Sequence, residues 1–372
     1  MLDEHSVYVS DLVRLNLFRS AIEKVLEPGD VVVDVGCGSG VLGLICLQAG
    51  AARVIGIDST AMVEVARESF RRAGLLGRIE LIRGPSFRVE PSIRADIVIC
   101  DHVGCFGFDY GVIELLKDAR ERFLKPSGII VPSRIRLMLG AAHSEEAWKK
   151  IDIWRREQVP SEYNWVATLG VNTKQLLGLS REALLGPPRE LGVIDFGTAN
   201  PEFFSWTAEL VPERNGVMHG LAGWFECELA EGVWMTNSPL SDQAIAREQA
   251  FLPIGEATPV EAGERIKATV MARPSDNMIA WSVELPRTGR RFSHSTWQGD
   301  MLGAADLRLA NPDRTPRLSR TGRTRAAVLS YCDGRRTAKE IEELVLSEHA
   351  DLFPTRLEVS RFVGGALARD TE

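Results

Sequence analysis

One stretch, VVVDVGCGSGVLGL at 31–44, constrains this chain more than any other. A run of β-branched residues meets an acid, three glycines follow at alternating positions, and a second apolar run begins. The first run reads as a strand buried on both faces. Residues 41–49 read as a helix that Gly50 ends. The pattern then repeats: strand 53–57 closed by Asp58, helix 61–73 stopped by Gly74, strands 79–82 and 95–100, helix 112–123, and a strand from 128. Alternation of this kind predicts a Rossmann-like, doubly wound α/β core with its ligand at the carboxyl ends of the strands.

The loop discriminates among ligands. No Gly-Lys-Ser/Thr follows, so it is not a P-loop, and Asp34-x-Gly36-x-Gly38-x-Gly40 is not the dinucleotide spacing GxGxxG. Asp58 lies 18 residues after Gly40, where an acid accepts hydrogen bonds from both hydroxyls of a ribose. Together these features point to a nucleoside with a cationic sulfonium facing Asp34, S-adenosylmethionine, with S-adenosylhomocysteine as product. Cys37 and Ser59 lie in the same two turns and join the candidate contacts.

Composition narrows the setting. In 372 residues, 45% are hydrophobic and 26% charged, as in soluble globular proteins, and the length allows two or three domains. A net charge of -7 gives no general attraction to nucleic acid or anionic membranes. No apolar run reaches bilayer-spanning length, and the N-terminus lacks signal-peptide character. The six scattered cysteines form no CxxC and read as reduced, mostly buried thiols of a cytoplasmic protein. No metal site is expected.

The glycine loop, HSVYVSDLVR at 5–14 and the segment 96–139 resemble the protein arginine methyltransferases. The resemblance implies that His5 and Arg14 contact the cofactor, Arg14 pairing with its carboxylate, and that Ser86 and Phe87 contact adenine, without the acid usual there. Tyr8 replaces the family's methionine. The resemblance also implies a β-barrel after the core, a helical insert at about 145–185, and a possible homodimer made through it. The expected domains are 1–133 (cofactor), 134–300 (barrel with insert) and 301–372.

The acceptor side departs from the family. Arginine methylation there uses two carboxylates from the loop after the fourth strand, which here reads CDHVGCFGFDYG at 100–111. The first aligns with Asp101, and the second with Tyr110. A later His-Trp pair is replaced by Ala246 and Arg247. Asp101, His102 and Tyr110 are the candidate catalytic residues. His219 reads as structural. Loss of one carboxylate favours a neutral or anionic acceptor, which needs alignment more than a general base.

The last segment carries Leu318, a Cys-Asp-Gly turn at 332–334, Thr337, Glu340, Ile341 and Phe362. These resemble the peptide-recognition domains of ribosomal-peptide (lanthipeptide-type) tailoring enzymes. A hairpin over 306–319 and helices 325–332, 338–348 and 355–368 are expected, as a small winged-helix-like unit that receives a leader peptide as an added strand. The leading expectation is therefore methylation of a C-terminal carboxylate of a precursor peptide. Its alternatives are N-methylation of arginine, free or in a peptide, and a non-catalytic cofactor-binding regulator.

Overall fold

A computed structural model describes residues 2–350, 353 and 355–371. The chain divides into two compact units, Met1–Met301 and Leu302–Glu372.

The first unit opens with helices α1 (Leu2–Ser10) and α2 (Leu12–Val25). Asp11 separates them and caps α2, its side chain accepting from Arg14 N. The α/β core follows: β1 (Val31–Val35), α3 (Val41–Ala49), β2 (Arg53–Asp58), α4 (Met62–Arg72), β3 (Ile79–Arg83), β4 (Ala95–Ile99), α5 (Val112–Arg122) and β5 (Leu124–Val131). The strands form one parallel sheet in the order β3-β2-β1-β4-β5. Strand order reverses direction between β1 and β4, so a crevice opens there at the carboxyl ends. Asp34 pairs in register with Gly56 and Ile99, which brings the ends of β1, β2 and β4 together. Met62, Val63, Ala66 and Phe70 form the buried stripe of α4. Fully burying one such side chain is worth about 1.5–3 kcal/mol.

The antiparallel region contains β6 (Arg134–Ala142), α6 (Glu145–Asp152), α7 (Ala167–Gly170), β7 (Gln175–Leu177), β8 (Arg189–Asp195), β9 (Phe204–Leu210), β10 (Gly216–Ala230), β11 (Val233–Thr236), β12 (Gln249–Val260), β13 (Ile266–Arg273), β14 (Met278–Leu285) and β15 (Arg290–Ser295). The described strands form two sheets, β7-β12-β10-β6-β8 with β11 on β10, and β15-β14-β13-β9, rather than the closed barrel expected. Between β6 and β8 the insert is helical only in short pieces, as α6, α7 and 3-10 turns.

The second unit comprises α8 (Ala304–Ala310), α9 (Arg320–Ser330), α10 (Ala338–Glu348) and α11 (Arg356–Asp370). Thr337 and Thr355 cap α10 and α11, accepting from Glu340 N and Glu358 N. Val328, Ile341, Val345, Val359, Val363 and Ala366 make its core. The expected hairpin is absent among the described residues, so the unit has helices but no wing. Asp306 caps the segment from inside, its Oδ2 accepting from Gly303 N at 2.8 Å, and AADLRLA is rich in helix formers. Helix α9 also begins earlier than expected, because Ser319 accepts from Gly322 N.

All six cysteines are free, five of them buried. No helix among the described residues is long and apolar enough to cross a membrane.

Candidate active site

A cavity of about 390 Å3 opens where the sheet topology places it. Its wall includes the predicted residues His5, Arg14, Asp34, Gly36, Cys37, Gly38, Asp58, Ser59, Ser86, Phe87, Asp101, His102 and Tyr110. Gly40 is the exception. A side chain there would meet Phe70 and Ala66, so Gly40 serves the packing of α3 on α4 and does not line the cavity.

The glycine loop is shaped by close contacts. Gly36 has φ +75°, a left-handed conformation, and a Cβ there would collide with the His102 imidazole. Asp58 braces the loop: Oδ2 accepts from Gly38 N at 2.9 Å, and Oδ1 accepts from Thr60 N at 2.7 Å and Thr60 Oγ1 at 2.6 Å. A carboxylate offers about four lone-pair sites, so capacity for ribose hydroxyls remains.

Asp34 is buried and accepts from Gly43 N at 3.2 Å. Burial pushes its carboxyl up to about 7, against the lowering effects of that hydrogen bond and of Arg14. A cation entering the cavity would relieve this. Ser86 Oγ and Asp101 Oδ1 are also buried and make no hydrogen bond to any described residue. An acid short of positive charge, a backbone cradle and two orphaned polar atoms fit a cationic nucleoside such as S-adenosylmethionine.

The opposite end is charged and crowded. Arg14 Nε donates to Asp101 Oδ2 at 2.5 Å, and its Nη1 donates to Tyr8 O at 2.9 Å. Their side chains are 6% and 9% exposed, which makes this a buried ion pair. Tyr110 is partly exposed, and burial of its hydroxyl, with nearby Cys105 and Asp109, pushes its pKa up to about 12, so it stays a neutral phenol at physiological pH.

Asp109 does not supply the missing second carboxylate. It is buried, accepts from Phe106 N at 3.0 Å and is paired with Lys174. Gly104, with φ +70°, leaves room for it, since a Cβ there would strike Asp109 Oδ1. His219 accepts from Ser144 N at 3.1 Å and faces His143, away from the residues that line the cavity.

One contributor could be aligned from the sequence but not placed, and two were not legible in it. Arg247 Nη2 stands 3.6 Å from Asp101 Oδ2, with its side chain 7% exposed. Fully buried Asn237 donates to Cys105 O at 2.8 Å and Glu248 O at 2.7 Å, tying the 100–111 loop to the segment that carries Arg247. Lys174 reaches Asp109 from the insert. The contacts to the 100–111 loop join residues far apart in sequence, and nothing local marks Asn237, which stands between Thr236 and Ser238.

Residues 16–173 match the family described as ribosomal protein L11 methyltransferase (PrmA). The chain is 29% identical over 294 residues to the probable protein arginine N-methyltransferase 6 of Arabidopsis thaliana, covering 76% of this chain and 66% of that protein. It is 28% identical over 269 residues to the arginine N(omega)-methyltransferase of Streptomyces achromogenes subsp. streptozoticus, covering 70% and 74%. Among solved structures, the Trypanosoma brucei PRMT1 enzyme-prozyme heterotetrameric complex with AdoHcy has the same fold: TM-score 0.72 at 20% identity, covering 79% of this chain and 98% of that one. With the cavity's cationic-nucleoside chemistry, these likenesses make the chain an arginine-methyltransferase-like class I methyltransferase that uses S-adenosylmethionine.

Proposed function

We propose that this enzyme transfers a methyl group to a guanidine nitrogen of arginine, in a peptide or protein or as the free amino acid. The observation that carries this is Asp101: its Oδ1 is buried, unpaired among the described residues, and belongs to a carboxylate that lines the cofactor cavity. A guanidinium is the donor that such an oxygen lacks. Relatives whose names specify arginine support the same reading. They favour it over the methyl ester that the altered acceptor loop first suggested.

The cofactor supplies an electrophilic methyl group on a sulfonium. Arg14 holds its carboxylate end and Asp58 its ribose. Ser86 and Phe87 border its adenine, and Asp34 faces its positive charge. Asp101, fixed by Arg14, orients the acceptor guanidinium so that one nitrogen points at the methyl carbon. Transfer would join the methyl carbon to that nitrogen while the sulfonium becomes the neutral thioether of S-adenosylhomocysteine, and the one N–H proton given up would pass to water, leaving a methylated guanidinium on Asp101. Asp101 stabilises the cationic acceptor through this exchange. His102, pressed against Gly36, and Tyr110, a neutral donor, border the acceptor.

Methyl esterification of a peptide C-terminus is the second reading, favoured by one observation: Arg247 adds a buried cation beside Asp101. The Trypanosoma heterotetramer supports oligomerisation of this chain, of which a homodimer is one form. Docking of a precursor peptide on Leu302–Glu372 rests on the Cys-Asp-Gly turn and its neighbours. The missing hairpin removes the strand edge first expected to receive it.

The test uses two peptide pools, one containing arginine and one with every arginine replaced by lysine. Methylation located on arginine by fragment mass spectrometry, and absent from the lysine pool, is the expected result. Equal methylation of both pools contradicts it.

A further inference from the structure

Arg247 lies between β11 and β12, on the segment 237–248. Its side chain is buried and stays outside the lining of the cofactor cavity. It meets the 100–111 loop at two points. Nη2 stands 3.6 Å from Asp101 Oδ2, and Nη1 donates to Gly104 O at 3.3 Å. The same oxygen, Oδ2, accepts from Arg14 Nε, while Oδ1 has no partner among the described residues. Two guanidiniums from separate segments, α2 and 237–248, therefore converge on one carboxylate oxygen and leave the other. Arg247 is itself anchored. Ala246 N donates to Asp11 Oδ2 at 2.8 Å. Buried Gln249 donates through Nε2 to Asn237 O at 2.6 Å and to Arg247 O at 3.3 Å, and Asn237 in turn donates to Cys105 O. One polar network thus joins the backbone of Arg247 to the loop that its side chain touches. Burial works against the charge on Arg247, but Asp101 and the neighbouring hydroxyls and thiol more than offset it.

We propose that Arg247 is a positioning residue for methyl transfer: it holds Asp101 by Oδ2, so that Oδ1 is presented to the acceptor guanidinium. This rests on the reading of Asp101 as the acceptor's carboxylate. The need arises in the aspartate side chain. Rotation about its Cβ–Cγ bond is soft and roughly two-fold, so a carboxylate tied to one donor can swing or exchange its oxygens. A second cation on the same oxygen removes that freedom. Arg14 alone is poorly suited to the task, because it also donates to Tyr8 O and holds the cofactor carboxylate in the reading above. At 3.6 Å, Arg247 makes a charge contact rather than a hydrogen bond. Salt screens such a contact little in a buried site, and the bond to Gly104 O fixes where the charge sits. Because Arg247 does not line the cavity, its effect on the acceptor passes through Asp101.

The test is a double-mutant cycle in the whole chain: wild type, R247Q, D101N and the two substitutions together. Single-turnover assays use methyl-labelled S-adenosylmethionine and an arginine-containing peptide pool. Calorimetry gives the affinity for S-adenosylhomocysteine. In R247Q the transfer rate is expected to fall by roughly ten- to a hundredfold, with cofactor affinity unchanged. In the D101N background the same substitution should cost no further rate, because the carboxylate it positions is gone. A residue that merely supports the fold would lower the rate by the same factor in both backgrounds, and that result overturns the proposal. So does a parallel loss of cofactor affinity, which would assign Arg247 to Tyr8, a residue of the cavity wall whose ring centre lies 5.6 Å from the guanidinium. If thermal melts show R247Q unfolded, R247K completes the cycle, and its smaller loss should likewise vanish with D101N. The two readings fail separately. Label on arginine with equal losses in both backgrounds removes the positioning role alone. Label on carboxylates, released by mild base, removes the acceptor reading of Asp101 and the positioning role with it.

Discussion

At the cofactor end of the cavity, Asp34, Gly36 and Asp58 sit on consecutive strand ends and turns, each braced by backbone hydrogen bonds. At the proposed acceptor end, Arg14, Asp101, Arg247 and the Asp109–Lys174 pair come from four separate segments and hold one another by charge. The first end has its geometry built into the βα turns and needs only a ligand of the right shape and charge. The second is a buried electrostatic balance, in which one substitution redistributes every partner. Such a balance is where related proteins with one fold can diverge in acceptor.

The comparison can be broken from either end. Asp101→Asn should have the largest effect. Methyl transfer should fall by on the order of 100- to 1,000-fold, while cofactor binding measured by calorimetry falls far less. Equal losses in both would place Asp101 with the cofactor alone. Gly36→Ala should act at the other end. The left-handed backbone alone costs ~1–2 kcal/mol, and His102 must also move, so S-adenosylhomocysteine should bind at least about tenfold more weakly; unchanged affinity would contradict the close contact. Asp58→Ala should weaken cofactor binding by about 1–3 kcal/mol through lost ribose hydrogen bonds, with the acceptor KM barely altered.

The smallest effect is a pH dependence. The Asp34 pKa rises from 3.8 to about 7 on folding, so the folded, cofactor-free protein holds a proton that the unfolded chain has released. Its contribution to stability is full below pH ~4 and is lost as pH rises through about 7. Bound positive charge favours the ionised form, so S-adenosylmethionine affinity should rise over the same window, with proton release visible in calorimetry. Asp34→Asn should flatten both profiles. A wild-type affinity independent of pH would show that no cation reaches Asp34.

Legibility in the sequence followed the same division. Strands β1 to β4, helix α3 and the cofactor-facing residues were readable because each depends on local signals: a β-branched run, a glycine turn, an acid at a strand end. Thr337 and Thr355 were readable as caps for the same reason. Helix α8 takes the place of part of the hairpin expected over 306–319, because the capping role of Asp306 and the helix formers beside it outweigh the turn-forming residues at 311–316 that suggested a hairpin. Arg247 could be aligned but not placed. Its position depends on the antiparallel pairing of β10 with β11 and β12, and on Asn237 bridging two loops. Asp109, adjacent to the missing acid, is turned away from the cavity and held by Lys174 and Phe106 N, contacts that no local pattern encodes.

The central claim is that Asp101 presents a guanidine nitrogen to the methyl group, although the second family carboxylate is gone. The most direct test incubates the enzyme with methyl-labelled S-adenosylmethionine and arginine-containing peptides whose C-termini are either free or amidated, then treats the products with mild base. The account predicts label that survives base, resides on arginine and is equal in both sets. Label released as methanol, from free-acid peptides only, would contradict it and make the enzyme a carboxyl methyltransferase.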